Sequence, residues 1–291
     1  MQQTRQDLRD MTLQSSSVTK EVAPVGVAKP IQQGDNSSSK RVLTDSDTIP
    51  LKNGSIWDYP TFETFHTETS YFMKRALDVM IATTALIIFS PIMLITAIIV
   101  RLDSKGSSLF KQERIGARRD DNGEWQVSPF TMYKFRSMRQ DASDDIHRQY
   151  VKSFIQDDAD TMELLQNGEK SDDSQYKLVN DTRVTKVGKF IRKTSIDELP
   201  QLFNVLKGDM SIVGPRPALK YEVDLYKDWQ KERLHALPGI TGLWQVTARS
   251  SVKFDVMVDL DIEYVHHRSI LLDLWIIIMT PKAILSGKGA K

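Results

Sequence analysis

The chain has 291 residues, 40% of them apolar, which is enough for one or two domains with a hydrophobic core. Lys and Arg number 39 against 38 Asp and Glu, so charge gives no bulk attraction to nucleic acid or acidic lipid. The absence of cysteine excludes disulfides, zinc ribbons, thiolate nucleophiles and Cys-ligated clusters, and the negative mean hydropathy excludes a polytopic membrane protein.

Residues 1–68 read as a disordered polar tail. Runs such as Gln14–Ser17 and Gln32–Lys40 are Ser, Gln, Asn and Gly-rich and cannot bury enough surface to offset the entropy of ordering. No apolar h-region follows the start, which argues against a secretory signal.

Residues 69–105 form the second segment. From Val79 to Val100, 22 residues pass without a charge, and at about 1.5 Å per residue that helix is long enough for a hydrocarbon core of about 30 Å. Pro91 near its middle cannot donate to the Ile87 carbonyl. Ser90 can turn its hydroxyl back onto Leu86 or Ile87, a repair a membrane helix needs at a break. Basic residues stand at both ends, Lys74 and Arg75 before and Arg101, Lys105, Lys111 and Arg114 after, so the positive-inside rule selects no direction across the bilayer. Two architectures satisfy these features: a kinked spanning helix, and a helix that enters, bends at Ser90-Pro91 and leaves on the same face.

Residues 106–291 are soluble in character. Phe110–Gly116 and Tyr133–Met138 alternate basic with apolar positions as short strands do. Asp141–Asp173 holds ten carboxylates against three Lys or Arg and reads as a solvated acidic insertion, with a helix over Ile146–Ile155. Arg183–Lys220 reverses the balance, with eight basic residues against three acids. The apolar run Ile270–Leu285 carries Asp273, Pro281 and Lys282; it is a core helix or one lying along a membrane surface with Trp275 at headgroup level.

The chemistry concentrates in the basic stretch. Leu199, Leu202, Phe203, Val205 and Leu206 form a helical stripe that stops at Gly208, and Pro200 is tolerated only in a first turn. Asp197 and Glu198 are therefore expected at a helix N-terminus. One reading is structural: Ser195-x-x-Glu198 as a capping box, or Asp197 as the cap. The other is catalytic: a carboxylate pair kept ionised by the helix dipole, able to hold Mg²⁺ while one oxygen attacks phosphorus, with Arg192 and Lys193 just upstream. In Gly214-Pro215-Arg216-Pro217 two prolines restrict the backbone around Arg216, presenting a guanidinium suited to bidentate phosphate recognition. Pro238–Arg249 joins turn glycines to Trp244 and Arg249 and can face a nucleotide. The histidines have no metal-ligand spacing, and no Walker-type or Rossmann glycine loop is present, so a nucleotide would be held by arginines and Mg²⁺.

In order along the chain stand Lys74-Arg75-x-x-Asp78, Ser90-Pro91, Gln112-x-Arg114-x-Gly116, Lys134-Phe135-Arg136-Ser137-Met138, Asp197-Glu198-Leu199-Pro200-Gln201-Leu202, Gly208-Asp209-Met210-Ser211, Gly214-Pro215-Arg216-Pro217 and Pro238-Gly239-x-Thr241-Gly242-Leu243-Trp244. Over about Tyr71–Lys291 this resembles the bacterial sugar transferase family, the monotopic phosphoglycosyl transferases. The resemblance implies an α+β, mostly helical monotopic protein with a re-entrant helix, surface-lying amphipathic helices and a small antiparallel strand element around Phe110–Met138. It implies an enzyme of the bacterial cytoplasmic membrane, seated in one leaflet with its catalytic domain on the cytosolic face. The implied reaction moves a sugar 1-phosphate from a UDP-sugar to undecaprenyl phosphate and releases UMP.

By resemblance Asp197 is the nucleophile that forms a covalent phosphosugar intermediate, and Glu198 supports Mg²⁺ and the acid–base steps. Arg192 and Arg216, with Arg114 and Arg136, are the expected phosphate-binding side chains, and Pro215 and Arg249 the expected nucleotide contacts. Lys74, Arg75 and Asp78 match the membrane-interface motif, and Ser90-Pro91 the break in the re-entrant helix. No nucleic-acid partner is expected; a homo-oligomer is left open. The sequence departs from the family pattern in the length of its acidic insertion, in Ala248 where many members have Gly, and in a polar tail where larger members carry further membrane helices. A membrane scaffold without catalysis and a glycosyltransferase releasing UDP are the rival classes.

Overall fold

An apolar run can enter a membrane only if its backbone pairs within itself, and here it forms one uninterrupted helix, α1 (Glu68–Asp103, 36 residues). The structure, a computed structural model, describes residues 68–120, 123–139, 145–165, 183–248 and 252–285. The expected tail, Arg249 and much of the acidic insertion lie outside the described residues. α1 continues through Pro91 rather than breaking there, and Ser90 Oγ donates to the Ile87 carbonyl at 2.9 Å, as the sequence suggested. Of its most apolar 18-residue window only 11% is buried, so α1 is not the core helix of a soluble protein. It is the one helix among the described residues that is long and apolar enough to cross a membrane.

Phe110–Gly116 lies within β1 (Leu109–Arg119), which forms an antiparallel hairpin with β2 (Trp125–Phe135), Phe110 opposite Lys134 and Arg114 opposite Phe130. Of the expected strand Tyr133–Met138 only Tyr133, Lys134 and Phe135 belong to β2, which begins earlier at Trp125. The acidic stretch contributes α2 (Asp145–Ile155), on the expected residues, and α3 (Ala159–Leu165). Next comes α4 (Lys186–Lys193), whose N-cap Thr185 accepts the Gly188 N–H at 2.9 Å. α5 (Gln201–Lys207) ends where Gly208 takes φ 85°.

A second, parallel strand pair was not foreseen: β3 (Ser211–Val213) lies beside β4 (Gly239–Thr241). The pairing is so close that a Cβ on Gly239 would stand 2.1 Å from the Gly214 nitrogen. A short helix, α6 (Lys220–Val223), leads toward this pair; α7 (Leu243–Thr247), α8 (Phe254–His267) and α9 (Ile270–Leu285) follow it. Met132, Val205, Val213, Leu243, Val258 and Ile276 are core members from the hairpin, α5, β3, α7, α8 and α9. A smaller cluster, Val100, Phe135 and Ile191, joins the far end of α1 to β2 and α4.

Of the two readings of the last helix, the core one holds for one face. Leu272 and Ile276 enter the core while Leu271, Leu274 and Ile278 stay exposed. Trp275 packs half-buried against the core rather than standing free. The fold is thus mostly helical with a small antiparallel sheet, as expected, and with the parallel pair added.

Candidate functional site

The motif at the start of α1 acts as a clamp. Lys74 Nζ reaches Asp273 Oδ2 on α9 at 2.6 Å and the Val213 carbonyl at 3.2 Å. Arg75 donates to the Leu206 carbonyl at 3.0 Å near the end of α5, where the helix dipole favours a cation. Asp78, buried, accepts from the Ile212 N–H at 2.9 Å and the Ser211 hydroxyl at 3.0 Å. The Tyr264 hydroxyl lies 2.7 Å from Asp273 Oδ1 and 3.0 Å from the Val213 carbonyl. Burial raises both the Asp273 carboxyl and the Tyr264 phenol; the Lys74 charge opposes the shift at Asp273, and the Asp273 charge adds to it at Tyr264. Lys74 and Tyr264, both paired with Asp273, donate to the carbonyl of Val213, the residue just before Gly214-Pro215-Arg216-Pro217.

Asp197 and Glu198 occupy a 3-10 turn (Ile196–Glu198) that precedes α5, not the first turn of the α-helix. Pro200 itself takes the N-cap position of α5. The capping box does not form: Ser195 is left-handed at φ 56° and its side chain makes no cap hydrogen bond. Neither Ser195 nor Asp197 is therefore the N-cap of α5. Asp197 is buried and Glu198 half-exposed, with Glu198 Oε1 accepting from Lys134 Nζ at 3.0 Å. Asn204 locks the hairpin to α5, accepting the Tyr133 N–H at 3.0 Å and donating to the Thr131 carbonyl at 2.6 Å.

Glu198, Lys134, Arg114, Arg216 and Gln245 line one cavity, so the structure brings together four charged side chains separated by up to a hundred positions in sequence. Arg114 is oriented by Gln112, which accepts from its Nη2 at 2.7 Å, and by the Pro217 carbonyl at 3.0 Å. Arg192 lies in the last turn of α4, a few residues upstream of Asp197. Pro215 is buried, its carbonyl accepting the Gly239 N–H at 2.8 Å, and so braces the loop against β4.

Arg136 departs from its expected role. Its buried guanidinium donates to the carbonyls of Val100 (3.1 Å), Ser104 (2.6 Å) and Lys105 (2.5 Å), capping the end of α1. A side chain so engaged is a structural tie rather than a phosphate ligand. Sequence reasoning also missed the fully buried ion pair of Arg233 and Asp261. Burial pushes the Asp261 carboxyl up to about 6, against the opposing pull of Arg233 and of Arg216. A carboxyl under the Arg216 segment leaves no periodic signal.

Among the described residues no three His, Asp or Glu side chains gather as a metal cluster. Mg²⁺ is commonly held by one or two carboxylates with substrate phosphates completing its shell, so the Asp197–Glu198 pair fits as the protein's share. Cations facing a carboxylate pair can hold a diphosphate while a carboxylate oxygen approaches phosphorus.

An apolar helix exposed on the surface and the Glu198 carboxylate among three cations stand in one chain. Residues 69–287 match the family model described as bacterial sugar transferase, and the chain belongs to that family. It is 40% identical over 258 residues to the galactosyl transferase CpsE of Streptococcus agalactiae, covering 88% of this chain and 50% of that protein. It is also 40% identical to the undecaprenyl-phosphate galactose phosphotransferase of Salmonella typhimurium, covering 76% of this chain and 42% of that one. To the exopolysaccharide production protein ExoY of Sinorhizobium fredii it is 36% identical, over 87% of this chain and 99% of the relative. The chain thus spans about half the length of CpsE and of the Salmonella protein.

Proposed function

We propose that this protein is a phosphoglycosyl transferase that moves a sugar 1-phosphate from a UDP-sugar to undecaprenyl phosphate and releases UMP, starting a surface glycan. The observation that carries this reading is the cavity where Glu198, Lys134, Arg114 and Arg216 converge, one residue from the buried carboxyl of Asp197. Arg114 and Arg216 bind the diphosphate, each fixed by contacts with or within the loop that Val213 opens. An Asp197 carboxylate oxygen attacks the phosphorus bearing the sugar, and the bond from that phosphorus to the bridging oxygen breaks, so UMP departs with the electron pair. A phosphate oxygen of the lipid then attacks the aspartyl phosphodiester from the same pocket and frees Asp197. Neither step needs a net proton, because one anhydride bond to phosphorus replaces another and the charge lost by the attacking oxygen reappears on the leaving group. Glu198, held by Lys134, orients the turn and adds negative charge for a cation; Mg²⁺, when held by Asp197 and Glu198, supplies charge neutralisation of the diphosphate.

We infer further that α1 enters and leaves one leaflet of the cytoplasmic membrane on the cytosolic face. Supporting this, both ends of the helix touch the same soluble elements. Tyr71 meets Trp125 edge-to-face at 6.2 Å at one end of β2, and Val100 packs with Phe135 at the other. A spanning helix would drag this charged two-stranded hairpin, with its open edges, through hydrocarbon. Exposed Ile87, Ile88, Leu94 and Ile95 of α1, Phe190 of α4 and Phe203 of α5 supply the apolar contact with lipid.

Identification of the released nucleotide tests the reaction. Purified protein with UDP-sugar and undecaprenyl phosphate is expected to release UMP. Release of UDP would mean sugar transfer without phosphate, and release of neither across a panel of UDP-sugars would leave a scaffold.

A further inference from the structure

Pro238 separates two cavities. Gly239 and Ile240 line the candidate active site, while Ala236 and Leu237 line a second cavity on the other side. The second one is walled by Tyr71 and Lys74 at the start of α1, by Arg119 and Trp125 at the hairpin's end, and by Arg268 and Ser269 between α8 and α9. Its two guanidiniums are laid on aromatic faces: Arg119 stands 5.3 Å from the Tyr71 ring centroid and Arg268 5.1 Å from that of Trp125. Each is also fixed by a backbone carbonyl, Gly123 accepting from Arg119 Nε at 2.7 Å and His235 from Arg268 Nη1 at 3.0 Å. A guanidinium stacked in this way offers its in-plane N–H edge to an oxyanion. Lys74, which also lines the cavity, is paired with the Asp273 carboxylate at 2.6 Å. Burial lowers the Arg268 pKa, a shift that the Tyr264 and Asp273 charges oppose and the Arg119 charge reinforces.

The surroundings decide what kind of anion. On α1, Phe72 and Met73 are 73% and 52% exposed on the helix face turned away from Tyr71 and Lys74, and Leu271 on α9, next to the lining Ile270, is 57% exposed. Cations in a cavity flanked by exposed apolar side chains match a phosphate headgroup with acyl chains leaving it. The acceptor's phosphate must reach Asp197 on the far side of Pro238, so it is not the ligand of this cavity.

We propose that this second cavity binds the headgroup of an anionic phospholipid, one molecule per chain, and fixes the start of α1 at headgroup depth. The inference rests on the membrane seat of α1 proposed above. The test is native mass spectrometry of the full chain released from nanodiscs of phosphatidylglycerol and phosphatidylcholine, together with flotation on vesicles of phosphatidylcholine alone. The wild type is expected to retain one phosphatidylglycerol in preference to phosphatidylcholine. Arg119→Gln with Arg268→Gln should lower that retention about tenfold or more. The single Arg119→Gln, at the hairpin's end, should lower it in part while melting like the wild type by circular dichroism. Arg101→Gln, the same charge change at the other end of α1, should keep it. No preference for phosphatidylglycerol, or an equal loss in Arg101→Gln, overturns the cavity assignment. Displacement of the retained lipid by millimolar inorganic phosphate overturns the lipid assignment in favour of a free anion. A chain that retains phosphatidylglycerol yet stays off neutral vesicles refutes the apolar seat and supports the cavity.

Discussion

Replacing Arg136 by Gln removes three charge-assisted hydrogen bonds that close the end of α1 onto β2. Hydrogen bonds to a charged group contribute about 1.5–3 kcal/mol each, and they do not add when they share one donor. Ser104 is only half-buried and Lys105 is exposed, so their carbonyls regain water; the Val100 carbonyl, at a residue 2% exposed, does not. The expected cost is about 2–4 kcal/mol. For a domain of this size, 1 kcal/mol shifts Tm by about 2–4 °C, so a fall of roughly 5–15 °C is expected. Thermal unfolding in detergent, followed by far-UV circular dichroism, reads the fall, and KM for the UDP-sugar is measured on the same preparations at a temperature below both transitions. A stable variant whose KM for the sugar donor rises tenfold or more would refute the helix-capping role and return Arg136 to the phosphate site.

Lys74→Met strands the Asp273 carboxylate, 2% exposed, without its ammonium and should cost about 3–5 kcal/mol; adding Asp273→Leu should recover most of that, read as a double-mutant cycle in Tm. Gly239→Ala would place its Cβ 2.1 Å from the Gly214 nitrogen, so β3 and β4 must part; loss of folded protein in expression and melting trials is expected, and a normally stable variant would contradict the strand register. Asp261, with a folded pKa of about 6 against an ordinary 3.8, binds its proton more tightly folded than unfolded, so its contribution to stability falls as pH rises from about 4 to about 6. Asp261→Asn should remove that slope from stability measured across pH 4–7. Because Arg233 counters the shift, Arg233→Gln should cost more at pH 7, where Asp261 is ionised, than at pH 5; equal costs would contradict the pairing.

Features written in local periodicity were legible in the sequence. The uncharged run, the Ser90 repair at Pro91, the first alternating strand and the stop at Gly208 each depend on neighbours a few positions apart and stand where the residues suggested, whereas the second strand lies mostly before Tyr133–Met138. The site was legible as a set of residue types but not as an arrangement. Ser195-x-x-Glu198 carried the pattern of a capping box, yet Pro200 set the start of α5 and left the pair in a 3-10 turn. Arg136 read as a phosphate ligand because its partners are carbonyls 31 to 36 positions away, and a carbonyl has no letter in a sequence. The β3–β4 pair was hidden for a related reason: three residues per strand are too few for a period, and the pairing is parallel and long-range.

The covalent role of Asp197 is tested most directly by intact-protein mass spectrometry after incubation with a UDP-sugar and no lipid acceptor. The account predicts a mass gain of one sugar phosphate on the peptide carrying Asp197, one UMP released per modified chain, and loss of the added mass when undecaprenyl phosphate is supplied. An Asp197→Asn variant that still acquires the mass, or an active wild type that never does, would contradict it.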